Sequence, residues 1–160
     1  MGSFFDEVQS ERAALLEAIR GLHPVTLERP GVLGAWSVKD VLAHIAGWQN
    51  WMIRAYPYRL EHGDLPDDLK VSDDNVDEWN RKFVEERRGR TPDQVIEDLN
   101  DGLRRLLTWA ANLGTTRLNA PDPWPGRQES IASYFREFLA GHDREHREQI
   151  ERSLRILGKR

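Results

Sequence analysis

Cysteine does not occur among the 160 residues of this chain, which excludes disulfides, thiolate zinc sites and a cysteine nucleophile. Long apolar runs are missing too. Nothing approaches the roughly 20 residues that span a bilayer, so no membrane partner is expected. The opening Met1-Gly2-Ser3-Phe4-Phe5-Asp6 has no basic segment followed by an apolar one, so no signal peptide is expected and the expected location is cytoplasmic. Asp6 also departs from the myristoylation pattern. Positive charge is not in excess: the net charge is −4, from which no nucleic-acid partner is expected. Period-two alternation, low-complexity tracts and internal repeats are lacking as well. What is present, 39% hydrophobic and 31% charged residues, suits one globular domain over 1–160.

Apolar residues recur at helical spacing instead. A first helix is predicted from about Phe4 to Leu22, burying Phe5, Val8, Leu15, Ile19 and Leu22. A second begins after Ser37, where Ser37-Val38-Lys39-Asp40 has the form of a capping box, and frays near Tyr56-Pro57 or a turn later. An acidic loop from Gly63 to Asp74 leads to a short helix carrying Val76, Trp79 and Phe83 and ending by Gly89. Arg87 can continue the packed side of this helix, although Arg87, Arg88 and Arg90 together read as its solvated end. Thr91-Pro92-Asp93-Gln94 starts a further helix that Gly114 stops. The last runs from about Glu129 to Leu157, after a Pro-rich loop around Trp124. Long helices without strands predict an all-α, four-helix bundle.

The last helix carries an apolar stripe of Ile131, Phe135, Phe138, Leu139, His142, His146, Ile150, Leu154 and Leu157. Two histidines one turn apart occupy its centre, their Cβ atoms about 6 Å apart. Two buried imidazoles side by side each need a partner, and protonating either would bury charge. A divalent ion satisfies both, since neutral imidazole is a good ligand. His44, at the flank of the inner face of the second helix, is the third candidate. Three histidines would leave further coordination positions for water or substrate, as catalytic sites do. Zn, Ni, Fe and Mn all suit such a set. Around it, Gln149 can touch a metal-bound water, and Asp40 can either cap its helix or orient His44. Trp48 and Trp124 are pocket candidates. Asp143 and Glu145 lie off the stripe and are expected in solvent, while His23 and His62 have the positions of solvated or capping residues.

Gly34-Ala35-Trp36-Ser37-Val38-Lys39-Asp40-Val41-Leu42-Ala43-His44-Ile45-Ala46-Gly47-Trp48, followed downstream by His142-x-x-x-His146, resembles the DinB-like (DinB/YfiT) superfamily over essentially the whole chain. The resemblance implies an up-down-down-up bundle with a long crossover, here Glu61 to Arg90. It also implies a divalent metal on His44, His142 and His146, and a homodimer. Relatives include thiol S-transferases and mycothiol-dependent maleylpyruvate isomerases. Some of the isomerase-like ones carry Glu where His142 stands, and they carry a second, C-terminal domain that is not expected here. The ClbS-like self-resistance branch shares the fold but generally not the three histidines.

The function expected is a metal-dependent enzyme of small-molecule thiol chemistry, a transferase or isomerase acting on a small-molecule substrate. With no cysteine in the chain, a low-molecular-weight thiol would enter as co-substrate, and the metal would favour its thiolate. Metal-assisted hydrolysis is one alternative. A non-catalytic protein that binds or sequesters a small molecule is another.

Overall fold

The computed structural model describes residues 3–122 and 127–157. Along these the chain forms α1 (Phe4–Ile19), α2 (Pro24–Leu27), α3 (Val38–His62), α4 (Val76–Glu86), α5 (Pro92–Leu113), α6 (Thr115–Leu118), α7 (Ile131–Phe135) and α8 (His142–Leu157). A π-helical turn, Arg136–Gly141, joins α7 to α8 without a break. Local chemistry sets the starts. Ser3, Ser37 and Thr91 cap α1, α3 and α5, each in a reciprocal capping box with Asp6, Asp40 and Gln94 respectively. Gly63, at φ 81°, ends α3 in the left-handed conformation.

Contacts along the helices give their directions. Glu7 pairs with Arg136, Glu11 with Arg144 and Arg12 with Asp143, so α1 runs parallel to α8. Lys39 reaches the Arg90 carbonyl, Gln49 the Leu99 carbonyl, and Tyr56 lies against Trp109, so α3 runs parallel to α5. Tyr56 meets Phe135 while His44 meets His142, so α3 and the last helix are antiparallel. The bundle is therefore up-down-down-up, and the parallel pair α3 and α5 needs the long crossover that holds α4.

The core has two halves. One is largely aromatic, with Phe4, Trp48, Trp51, Tyr56, Phe83 and Phe135. The other is aliphatic, with Leu15, Ile19, Val41, Leu42, Leu99, Ile150 and Leu154. A buried polar node lies where they meet. The Arg12 guanidinium donates to Asp143 at 2.8 Å and to the Leu99 backbone carbonyl at 3.0 Å, and it also donates to the side-chain Oε1 of Gln49. The Gln49 amide donates to the same Leu99 carbonyl at 2.9 Å. All four long helices contribute to this node.

Several sequence expectations change here. The first helix buries Phe4 and also Arg12, which occupies the turn between Val8 and Leu15 and finds its anion on another helix, while Phe5, and Leu22 beyond the helix end at Ile19, are only half-buried against the core. Asp143, expected in solvent, is 1% exposed for the same reason. Arg87, read as part of a solvated helix end, is buried, donating to Asp98 at 2.6 Å and to the Phe83 carbonyl. Leu157, placed on the buried stripe, is exposed.

The crossover helix is docked by one absent side chain. A Cβ on Gly47 would overlap the Cβ and Cγ of Phe83. Gly47→Ala should therefore lower stability by about 1–3 kcal/mol, the usual cost of overpacking. Urea unfolding of the two proteins checks this, and equal midpoints would show that α4 is not seated through this contact.

Candidate metal centre

His44 projects from α3 and His142 and His146 from α8, and their rings meet at the seam of the two antiparallel helices. The Nε2 atoms of His44 and His142 are 3.3 Å apart, and those of His146 and His142 are 2.8 Å apart. One nitrogen from each ring falls within 4.8 Å of the others. His44 and His146 are buried and His142 is half-buried.

The opposite nitrogen of His146 explains how the ring is held. Gln149 Oε1 lies 2.8 Å from His146 Nδ1. An amide oxygen only accepts, so Nδ1 carries the proton and Nε2 presents a lone pair. The structure thus places Gln149 behind His146, not on the side where the three Nε2 atoms meet. Asp40 takes the capping position: its carboxylate accepts from the Ser37 N–H at 3.1 Å. His44 Nδ1 is buried and makes no hydrogen bond, and the Trp36 ring lies 5.1 Å from the His44 ring. Trp124 lies outside the described residues. His23 caps α2 through Nδ1, and His62 stacks on Tyr58 near the end of α3.

Burial makes all three imidazoles weak bases. His44 is pushed down to about 3, first by burial and then by the nearby His146, with Asn80 opposing through a hydrogen bond. His142 is pushed down to about 2 by burial, then by His146, His44 and Arg12. His146 is lowered by burial, against Gln149, Glu145 and Asp143. Three neutral imidazoles with converging nitrogens form a donor set that fits a divalent ion of the Zn, Ni, Fe or Mn type.

The same depressions fix a pH dependence. Below the ordinary histidine value of 6.5 the unfolded chain takes up protons that the folded site refuses. Stability of the metal-free protein is then fully present above pH 6.5 and is lost as pH falls, by up to about 1.4 kcal/mol per pH unit for each histidine. Urea unfolding at pH 7.5 and 5.5, with chelator present, measures it. Unchanged stability would mean that the rings protonate freely in the folded protein.

A cavity of about 760 Å³ opens onto the site, with His44 and His142 in its wall. That size suits a drug-sized ligand. Trp48, Trp51, Tyr134 and Phe138 make its apolar side. The Arg127 guanidinium lies 3.6 Å over the Tyr134 ring and donates to the Tyr56 hydroxyl and to buried Asp122, which ties the loop before α7 to the bundle. Asn80 from α4 also lines the cavity, and its Oδ1 accepts from the Trp48 indole at 2.7 Å. Sequence reasoning missed Asn80, Arg12 and Gln49. The only signal for Asn80 was its place among Val76, Trp79 and Phe83 on the packed side of the short helix.

The sequence pattern described as Mycothiol maleylpyruvate isomerase N-terminal domain matches residues 8–142. No curated protein matches the chain. Among solved structures, the colibactin self-resistance protein ClbS in complex with a dsDNA superposes with a TM-score of 0.80 at 12% identity, covering 96% of this chain and 94% of that one. An uncharacterised protein from Clostridium difficile 630 gives 0.81 at 12% identity, with 96% and 95% covered. One from Escherichia coli UTI89 gives 0.80 at 10% identity, with 97% and 92% covered. These likenesses show the fold. They also correct the expectation that nucleic acid is excluded, because ClbS, of this same fold, crystallised with double-stranded DNA. Net charge averages over a whole surface, whereas a duplex meets one face, so an overall −4 excludes nothing. Among the described residues no helix is long and apolar enough to cross a membrane.

Proposed function

We propose that this chain, which belongs to the mycothiol maleylpyruvate isomerase N-terminal domain family, is a divalent-metal-dependent enzyme of small-molecule thiol chemistry, of transferase or isomerase type. The observation that carries the reading is the meeting of His44, His142 and His146 at the wall of a cavity large enough for a substrate. When bound there, a divalent ion supplies a Lewis acid that favours the thiolate form of a small thiol. The protein's own residues do the rest. The three histidines remain neutral and available as ligands, Gln149 holds His146 in the tautomer that presents Nε2, and the aromatic wall receives the electrophile and limits water. The chain has no cysteine of its own, so the thiol must enter from solution, and a reducing cytoplasm belongs to the same proposal.

The test uses protein purified without a histidine tag. Bound metal is quantified, and loss of low-molecular-weight thiols is followed against a panel of electrophiles. Stoichiometric metal with no thiol consumed would sink the proposal, and turnover without thiol would favour metal-assisted hydrolysis. The cavity volume also suits a second reading, ligand sequestration. His44→Ala protein that loses metal yet keeps full affinity for a ligand would support that reading instead.

A further inference from the structure

The cavity is long, and its two ends differ in chemistry. His142, Phe138, Tyr134 and Arg127 follow one another along one wall. The His142 ring lies 5.6 Å from that of Phe138, and Phe138 lies 5.6 Å from Tyr134. The Arg127 guanidinium then sits 3.6 Å over the Tyr134 ring. Residues four apart on an α-helix drift by about 40° at each step. The wider π-helical turn Arg136–Gly141 takes up that drift, so the three rings share one cavity. The opposite wall repeats the measure. Arg127 Nη1 donates to the Tyr56 hydroxyl at 3.0 Å, and Tyr56 is on α3 beyond His44 and Trp48. By helical rise, roughly 12–18 Å separate the guanidinium from the histidines.

The far end carries positive charge. Arg59, beyond Tyr56 on α3, lines the cavity there, and its partner Asp64 at 3.3 Å is the one carboxylate in the wall among the described residues. Lys70 adds a third cation, paired with exposed Asp67. Arg127 pairs with Asp122 at 3.3 Å, but its side chain is 31% exposed while that of Asp122 is fully buried. The guanidinium, not its partner, therefore lines the cavity. Its flat fork of five N–H donors can serve a second carboxylate beside the first.

We infer that the cavity takes an elongated amphipathic carboxylate: its reactive end meets the histidines, an apolar or aryl middle lies along Phe138 and Tyr134, and its carboxylate rests on Arg127. This names the ligand class of the site proposed above, and it rests on that reading for which end reacts. A small acid reaches one end of the cavity only, so length is part of the recognition.

The test titrates ω-mercapto acids into cobalt(II)-loaded protein. Visible absorption reports thiolate on the metal, and the matching mercapto alcohols are uncharged controls. Mercaptoundecanoic acid is expected to bind about tenfold more tightly than its alcohol, the size of one charge-assisted hydrogen bond. Mercaptopropanoic acid should show no such preference. Arg127→Ala should abolish the preference while Co(II) binding stays within about twofold of wild type, since the histidines are untouched. Arg127→Lys keeps the charge without the fork and should retain part of it. Arg127 also ties the loop before α7, so the alcohol measured on the same variant separates lost packing from lost recognition. Equal affinity for acid and alcohol in the wild type overturns the inference, and so does a preference that survives in Arg127→Ala. Dodecanoic acid against dodecanol, read by tryptophan fluorescence of metal-free protein, keeps this apart from the metal reading. An Arg127-dependent preference for the acid in protein that takes up no Co(II) would retain the ligand class and remove the metal. Cobalt thiolate spectra without any preference for the acid would do the reverse.

Discussion

His146→Ala is expected to reduce bound divalent metal from about one ion per chain to background, with the helical content unchanged. His146 is at once a ligand candidate and the ring whose tautomer is fixed from behind by Gln149. Its removal leaves His44 and His142 on separate helices, 3.3 Å apart at Nε2. Two imidazoles without a third retain an ion far less well, because the missing bond is not replaced and water enters the site. Gln149→Ala is the graded companion. It leaves every nitrogen in place but frees the ring, and loss of a partner behind a ligand costs about 10–100-fold in metal affinity. Metal analysis of tag-free protein, with circular dichroism to confirm folding, provides the comparison. A His146→Ala protein with undiminished metal would mean that the histidine cluster is not where metal binds.

Asp143→Ala should cost about 3–5 kcal/mol of stability, a large part of the 5–15 kcal/mol that holds a typical domain together. The side chains of Arg12 and Asp143 are 6% and 2% exposed. Burial pushes the Asp143 carboxyl up, and the Arg12 charge and hydrogen bonds pull it back toward the ionised form. Truncating the aspartate leaves a guanidinium in the interior with only Gln49 and the Leu99 carbonyl as partners. Replacing both charges is a different experiment. Arg12→Met/Asp143→Leu removes the desolvation cost along with the attraction, so it should restore most of the loss or exceed wild type. Chemical denaturation of the four proteins in the cycle measures the coupling. A double variant as unstable as Asp143→Ala would show that shape, not charge pairing, makes this position sensitive. Asp143 directly follows His142 in sequence, so metal content of the double variant also reports whether the node contributes to the register of α8.

Signals that act within one or two helical turns were legible from the chain alone. The Ser37–Asp40 and Thr91–Gln94 capping boxes, Pro92 in the first turn of α5 and the Gly114 end of α5 appear where the spacing predicts them, whereas α3 continues through Pro57 to His62, past the fraying expected near Tyr56-Pro57. The His142 and His146 pair is equally local, since an i,i+4 spacing puts both rings on one face of whatever helix forms. The up-down-down-up order came from the family resemblance, and the parallel pairing of α3 with α5 agrees with it.

Interactions that span the chain were decided by the tertiary structure. Arg12 and Asp143 are 131 positions apart, and a projection of either helix can only place each as a charge on or off a stripe. Arg87 has the same history, its anion supplied by Asp98 of the following helix. Asn80 gains its meaning from Trp48 and from the room that Gly47 leaves for Phe83. Asp40 faced two possible partners, and the choice fell to the cap at Ser37. The division has a physical cause. Caps, turns and i,i+4 faces are written in backbone geometry that every copy of the motif shares. A buried charge or a committed amide depends instead on a second element whose distance and direction are fixed only once the helices have packed.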